Sequence, residues 1–263
     1  CGGNKFTSID ISKNIALTTL YCRKSINLTS LDVSKNTALK KLYCGGNKFT
    51  TLDISKNIAL TTLDCPKSIN LTSLDVSKNT DLTWLNCYEN KLTSLDVTKN
   101  TALTKLYCGY NQLTLLDISK NTDLTDLNCQ NNKLTSLDVS KNTDLTDLNC
   151  TFNQLKTLVV SKNTALNYLV CSFNKLTSLD VSKNTDLTNL NCRNNQIRTL
   201  DVSKNTVLNL LDCNTNKLTS LDVSKNTALT HLDCRGGIAF PNRINSISGV
   251  PVGCYVDGVK KIK

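Results

Sequence analysis

The sequence predicts a mostly β protein, a solenoid of about twelve coils with two parallel β-sheets. The first reason is a fixed period: of the twelve gaps between the 13 cysteines, nine are 21 residues, two are 22 and one is 20. The second is a nested repeat, because the pattern LxxLx[C/V]xxN occurs twice in each period. The third is the alternation of apolar and polar residues in L-x-C and L-D-V, which is the period of a strand and not of a helix.

Each coil has a regular internal plan. We number it from the leucine five places before its cysteine, which makes the cysteine position 6; residues 103–123, LTKLYCGYNQLTLLDISKNTD, show the pattern. Apolar residues at positions 1, 4, 6, 11, 14 and 16 are expected to point inward, and the asparagines at positions 9 and 19 to bond backbone groups at the turns. One coil cannot fold alone, because burying about six side chains at roughly 1.5–3 kcal/mol each does not offset an ordering cost of roughly 1.5 kcal/mol per residue. Stacking of the coils is therefore required.

The motif LxxLxCxxNxL, followed by LDVSKNT, resembles a known class of repeat. It is similar to the bacterial 21-residue leucine-rich repeats with a cysteine ladder, as in internalin J-like proteins and the Bacteroidetes surface proteins. The resemblance covers residues 1–234 and implies a leucine-rich-repeat solenoid on a bacterial cell surface or in the extracellular space. It does not name the ligand, because many functions share this scaffold.

Both ends of the chain depart from simple repetition. Residues 235–263 break the repeat and are expected to form a C-terminal cap, with CYVDGVKKIK as a β-hairpin that turns at Asp257 and Gly258. The first residues, CGGNKF, occur again at 44–49. We therefore expect the sequence to begin inside a repeat, with any N-terminal cap lying upstream of it.

The cysteines are expected to be reduced core residues. Position 6 points inward, and stacked copies lie about 4.8 Å apart with parallel side chains, an arrangement that suits the disulfide dihedral angle poorly. Zinc sites need four converging ligands at spacings such as CxxC, which this sequence lacks. The sequence therefore predicts buried thiols, no metal site and no cofactor.

Composition argues against several functional classes. There is no glycine-rich phosphate loop and no serine elbow, and the single His leaves nothing with which to build a catalytic pair, so we expect no catalytic residues and no enzyme. No apolar run is long enough to insert into a membrane. The net charge of +10 could serve nucleic acid. A nucleic-acid reader should concentrate Lys and Arg on one face beside its aromatics, whereas many lysines here belong to the scaffold at position 18, so we expect no nucleic-acid partner.

An internal duplication shows where the scaffold varies. Residues 1–43 and 44–86 align without a gap and differ at eight places. Four of these differences fall at positions 3, 5 and 7: Tyr21 against Asp64, Arg23 against Pro66, Lys41 against Trp84, and Tyr43 against Asn86. Positions 3, 5 and 7 belong to the outward side of the first strand, which is therefore the variable face of the coil.

The predicted binding residues share the outward positions 3, 5, 7 and 8 of the first strand and the turn after it. They are Tyr21, Tyr43, Trp84, Tyr88, Tyr107, Tyr110, Asp126, Asp147, Phe152, Tyr168 and Phe173. Exposed aromatic side chains are typical interface anchors. The alternative is that aromatics merely suit strands and pair across them.

These observations predict a non-enzymatic protein-binding module, an adhesin or virulence factor that engages a host surface or plasma protein through the outward face of the LxC strands. The prediction that the partner is a host protein rests on the resemblance alone. Two alternatives remain open: a glycan-binding surface domain, because aromatics beside Asp and Asn also suit sugars, and a purely structural spacer.

Overall fold

The computed structural model describes residues 7–24, 28–68, 71–236, 246–251 and 255–257. Within those ranges the chain contains short strands and turns but no helix, and hence no helix long and apolar enough to cross a bilayer. The strands β1 to β14 are, in order, Thr19–Tyr21, Lys41–Tyr43, Thr62–Asp64, Trp84–Asn86, Lys105–Tyr107, Asp126–Asn128, Asp147–Asn149, Tyr168–Val170, Asn189–Asn191, Leu210–Asp212, Ser220–Asp222, His231–Asp233, Ser246–Ser248 and Tyr255–Asp257. The predicted mostly β, parallel solenoid is confirmed.

The chain divides into two compact units, Cys1–Leu134 (unit 1) and Thr135–Lys263 (unit 2). In unit 1, strands β1 to β6 pair in parallel in chain order, and each register step is one coil, as in Leu63 with Leu85. In unit 2, strands β7 to β10 pair in the same way, followed by β12 and then β14. The repeat length therefore sets the sheet register directly.

The second sheet is present but short. Among the described L-D-V segments only β11 is a strand, and it pairs in parallel with β13. The other segments are extended but unpaired, and the chain turns directly after them: the Ser119 N–H donates to Asp117 Oδ1 (2.9 Å), and the Asn121 N–H donates to the Ile118 carbonyl (3.0 Å). The same turn follows β11, where the Ser224 N–H donates to Asp222 Oδ1 (2.9 Å), so the turn does not decide which segment joins a ladder.

Residues 235–263, which the sequence predicts to be a cap, contribute one strand to each sheet. Strand β13 extends the short sheet, and β14 lies parallel to β12. The predicted hairpin turn needs Gly258, and residues 258–263 lie outside the described residues.

The core is formed by leucine, valine, isoleucine and cysteine side chains that stack in columns along successive coils. The eleven described cysteines, from Cys22 to Cys234, are all buried, and no disulfide joins any two of them. Burial raises the pKa of Cys129 to about 12, so this thiol stays protonated at neutral pH. Burial of the cysteines is as the sequence predicts, and they pack as small apolar residues.

Asparagine side chains bond successive coils together. At position 19, Asn100 is fully buried and its Nδ2 donates to the carbonyls of Val76 (2.9 Å) and Asn79 (2.8 Å) in the preceding coil. At position 9, Asn111 Nδ2 donates to the Cys87 carbonyl (3.0 Å), and its Oδ1 accepts the Leu92 N–H (2.9 Å). Both asparagine positions therefore satisfy turn backbone groups, as predicted.

Position 8 has an unusual backbone. Gly46 adopts φ +75° there, and nine non-glycine residues at the same position of other coils have φ between 51° and 57°. They are Lys24, Lys67, Glu89, Tyr110, Asn131, Phe152, Phe173, Asn194 and Thr215. This left-handed conformation costs an L-residue other than glycine roughly 1–2 kcal/mol, and asparagine tolerates it best. The turn after the first strand therefore requires it regardless of the residue present.

Candidate functional site

The outward face of the first strands is the surface on which the predicted site residues lie. In β4, β5 and β6 the central leucine is fully buried, while the residues on both sides of it are partly or fully exposed. Positions 3 and 5 of β1 to β6 lie on this outward side, which we call the unit 1 strip; on β3 both positions are buried. The side chains of positions 12 to 21, on the other side of the coil, include no aromatic residue.

Four aromatic rings of the unit 1 strip form a continuous row. Tyr21 and Tyr43 stack with ring centroids 4.4 Å apart, and Tyr43 meets Trp84 edge to face at 6.3 Å. Trp84 in turn meets Tyr107 edge to face at 6.5 Å. We call these four residues the aromatic row. Such pairs contribute about 0.5–1.5 kcal/mol each beyond their buried area, so the row is a preorganised surface.

The aromatic row covers a buried acid. Tyr43 lies on β2 and Trp84 on β4, so their contact passes over β3, the strand on which Thr62 and Asp64 are buried. The Asp64 carboxylate pairs with the Arg23 guanidinium (2.6 Å) and accepts a hydrogen bond from Asn86 Nδ2 (2.8 Å). Burial raises the pKa of Asp64, and Arg23 and Asn86 act in the opposite direction.

Arg23 joins the acid to the aromatic row. It reaches from the first described coil to Asp64 on the third, and its guanidinium carbon lies 4.9 Å from the centre of the Tyr43 ring. This is a cation–π contact. Arg23 therefore holds both the buried carboxylate and Tyr43, the second ring of the row.

A second pair of rings lies at the turn that follows the strands. Tyr88 and Tyr110 are 5.0 Å apart, and Gln130 Nε2 donates to the Tyr88 hydroxyl (3.0 Å). Burial raises the pKa of Tyr88 to about 12. Tyr110 is 45% exposed although its backbone is left-handed. On the strip itself the Tyr107 hydroxyl donates to the Asp126 carboxylate.

Unit 2 carries its own set of predicted residues. Phe152 and Phe173, both left-handed, stack with centroids 4.0 Å apart, and the Arg193 guanidinium lies 4.9 Å from the Phe173 ring centre. Tyr168 is exposed on β8, and its register partner on β7 is Asp147. The eleven predicted residues therefore fall into two groups. In unit 1 they are the aromatic row, the Tyr88–Tyr110 pair and Asp126; in unit 2 they are the stacked Phe152–Phe173 pair, Tyr168 and Asp147.

Sequence reasoning missed the polar partners. Arg23, Asp64 and Arg193 all contact or underlie the aromatic side chains and were not among the predicted residues. A signal was present for two of them, because Arg23 and Asp64 are both residues at which the duplicated segments differ. In the described part of the chain, no group of three or more His, Cys, Asp or Glu residues is arranged to hold a metal ion.

Comparisons with known proteins agree with this architecture. The functional domain of InlJ from Listeria monocytogenes, which includes a cysteine ladder, is 37% identical with a TM-score of 0.64, and the match covers 86% of this chain and 64% of that one. The chain thus spans less than two thirds of the InlJ domain. This similarity confirms the resemblance to cysteine-ladder leucine-rich repeats. No family model and no curated protein sequence matches the chain.

Two more distant structures share the fold. The internalin inlF from Listeria monocytogenes is 20% identical with a TM-score of 0.66, over 95% of this chain and 89% of that one. The leucine-rich-repeat ectodomain of the receptor kinase GASSHO1/SCHENGEN3 from Arabidopsis thaliana, solved with CASPARIAN STRIP INTEGRITY FACTOR 2, is 18% identical with a TM-score of 0.76, over 96% and 35% of the two chains.

Proposed function

We propose, from the premise that this chain is a leucine-rich-repeat solenoid with a cysteine ladder, that it is a non-enzymatic protein-binding module. Its working surface is the outward face of the first strands. It acts outside the cell or on a bacterial cell surface, as an adhesin or virulence factor with a host surface or plasma protein as its partner. Residues 1–234 form the binding solenoid in this proposal, and 235–263 the cap.

The observation that carries the proposal is the aromatic row. Four large rings lie on the solvent side of a sheet whose core is already complete on its other side, and Tyr21 is 54% exposed. Aromatic side chains at the centre of a surface commonly supply most of the energy of an interface. The similarity to internalins supports the extracellular setting, and the complex of the GASSHO1 ectodomain supports ligand binding by this fold.

A local departure from good folding chemistry supports a role beyond stability. The buried Trp84 Nε1 has no hydrogen-bond acceptor among the described residues, and an unpaired donor costs about 1–3 kcal/mol. Departures of this kind are expected at functional sites.

The test is capture of a partner from host serum or cell lysate with matched variants. Trp84→Ala and Tyr107→Ala should weaken binding of the captured protein by roughly 1–2 kcal/mol, about five- to thirty-fold in affinity. Asp117→Ala and Lys120→Ala, on the L-D-V side, should leave it unchanged. Loss of binding in the L-D-V variants alone would place the working face on the other side of the coil.

Glycan binding is the second candidate, favoured by the Tyr107 hydroxyl and the Asp126 carboxylate beside an aromatic surface. A glycan array separates the two, because a lectin gives discrete hits. If the row variants change neither protein nor glycan binding, the chain is a structural spacer.

A further inference from the structure

Three exposed lysines on or beside the unit 1 strip form no ion pair with the residues that the structure describes. Lys41 on β2 and Lys105 on β5 are both exposed at position 3, with Trp84 between them at the same position on β4. Lys40 is exposed beside Lys41. Across the residues that the structure describes, none of these three ammonium groups has a carboxylate within 4.0 Å.

The acids near the unit 1 strip offset only part of this charge. Asp64 is buried and pairs with Arg23. Glu89 at the turn pairs with Lys67 (3.1 Å). Asp126, the register partner of Lys105, keeps its charge, because the Tyr107 hydroxyl that it accepts is a neutral donor. Three lysines stand against this one carboxylate, so the net charge that the strip offers to a partner is positive.

The corresponding positions of unit 2 differ. Positions 3 and 5 of β7 to β10 and of β12 contain no lysine and include Asp147, Asp212 and Asp233. Two of these acids pair with arginines at position 7, Arg235 at 2.6 Å from Asp233 and Arg193 at 4.0 Å from Asp212. Exposed lysine beside aromatic rings is thus a property of the unit 1 strip and not of the repeat.

The distance between the lysines indicates the kind of peptide that would fit the strip. Lys41 and Lys105 are three strands apart at one position, about 14 Å at about 4.8 Å per strand. An extended peptide rises about 3.3 Å per residue, so it covers this distance in four residues. Two carboxylates at residues i and i+4 would then reach the two lysines, and an apolar side chain between them would lie on Trp84.

We propose that the unit 1 strip binds an extended acidic segment of the partner protein, with carboxylates on Lys41 and Lys105 and an apolar side chain against Trp84. This inference rests on the proposed function and names the chemistry of the segment recognised. The complementary charges speed association and set specificity, while the ring contact supplies apolar burial.

Trp84 is the only tryptophan in the sequence, so its fluorescence reports on the strip directly. The probe is a synthetic peptide with two glutamates four residues apart and a leucine between them in a serine-rich background. It should change the fluorescence of the whole chain and bind at least about tenfold more tightly than the same peptide with glutamines, with an affinity that falls as salt is added. Equal binding of the two peptides overturns the proposal.

Matched variants complete the test. Lys41→Gln/Lys105→Gln should weaken binding of the acidic peptide about tenfold or more, whereas Lys99→Gln/Lys120→Gln, on the L-D-V side, should not. Equal loss in both double variants, or binding of a heparin oligosaccharide to the strip without binding of the peptide, overturns the proposal. If a captured protein partner loses affinity for the Trp84 variant but not for the Lys41 and Lys105 variants, the inference of an acidic segment is wrong. The proposed protein-binding function is then unaffected.

Discussion

The asparagine at position 19 allows a worked test of what holds the coils together. Replacing Asn100 with Ala removes two hydrogen bonds, to the carbonyls of Val76 and Asn79. Neither carbonyl is left without a donor, because the Asn79 N–H still bonds Val76 (3.0 Å) and the Leu82 N–H still bonds Asn79 (3.1 Å). Each lost bond therefore costs about 1 kcal/mol and not the larger penalty of an unsatisfied group. We expect Asn100→Ala to lower the free energy of unfolding by about 2 kcal/mol.

The isosteric change Asn100→Asp sharpens the test. It replaces the donating amide with a carboxylate oxygen that faces the same two carbonyls in a fully buried site. At pH 7 the cost should exceed that of Asn100→Ala by at least about 1 kcal/mol. Because burial would raise the folded-state pKa of this carboxyl above the unfolded value, the extra cost should shrink as the pH falls through the folded-state pKa.

The assay is urea unfolding followed by circular dichroism, at neutral pH and again in mild acid. Thr101→Ala, an exposed change at the next residue, is the control and should stay within about 0.5 kcal/mol of the parent chain. A cost below about 0.5 kcal/mol for Asn100→Ala, or an Asn100→Asp variant as stable as Asn100→Ala at pH 7, would refute the reasoning.

Three other predictions concern the core, the buried acid and the left-handed turn. Cys129→Ser should lower the free energy of unfolding by about 1–3 kcal/mol because it buries a hydroxyl. The native protein should react with far less thiol reagent than the denatured one. Disulfides along the cysteine ladder in a non-reducing mass measurement would contradict this. Arg23→Ala should cost about 2 kcal/mol by leaving Asp64 buried without its cation, and adding Asp64→Asn should restore most of that in urea unfolding; a double variant no more stable than the single one would show that the ion pair is not the cause. Tyr110→Asn should change stability by less than about 0.5 kcal/mol, since relief of backbone strain offsets the lost ring contact. Tyr110→Val loses the contact and keeps the strain, so it should cost about 1–2 kcal/mol in thermal unfolding, and equal effects of the two substitutions would rule out strain at this position.

The periodic part of this structure was predictable because the same sequence pattern repeats in every coil. Leucine, cysteine and asparagine recur at fixed positions, so an inward or outward assignment made for one coil holds for the others. The L-D-V segments show the limit of that reasoning. Their alternation is the same whether they form a ladder or a single extended stretch, and so is the turn after them, because the aspartate accepts the serine N–H both after Asp117 and after Asp222 of β11.

The non-periodic part was harder to predict. Arg23 and Asp64 lie two coils apart, and only the three-dimensional stacking shows that a long guanidinium side chain spans the distance. The left-handed turn at position 8 gave no signal, because lysine, glutamate, tyrosine and phenylalanine occupy it more often than glycine and asparagine do. There the coil geometry overrides local preference, and local preference is what sequence reasoning uses.

Within each unit, the hydrogen bonds of the position 19 asparagines point one way along the chain, from the side chain of one coil to the carbonyls of the coil before it. Each such coil thus adds two donors to its predecessor and receives two from its successor. Adding or removing one complete coil breaks one set of bonds and makes an identical set, so it leaves no additional buried group unsatisfied. Length is then a quantity that this protein can change in whole steps without redesign of its interior. The near copy of residues 1–43 at 44–86 has the form that an insertion of two coils would leave in a sequence.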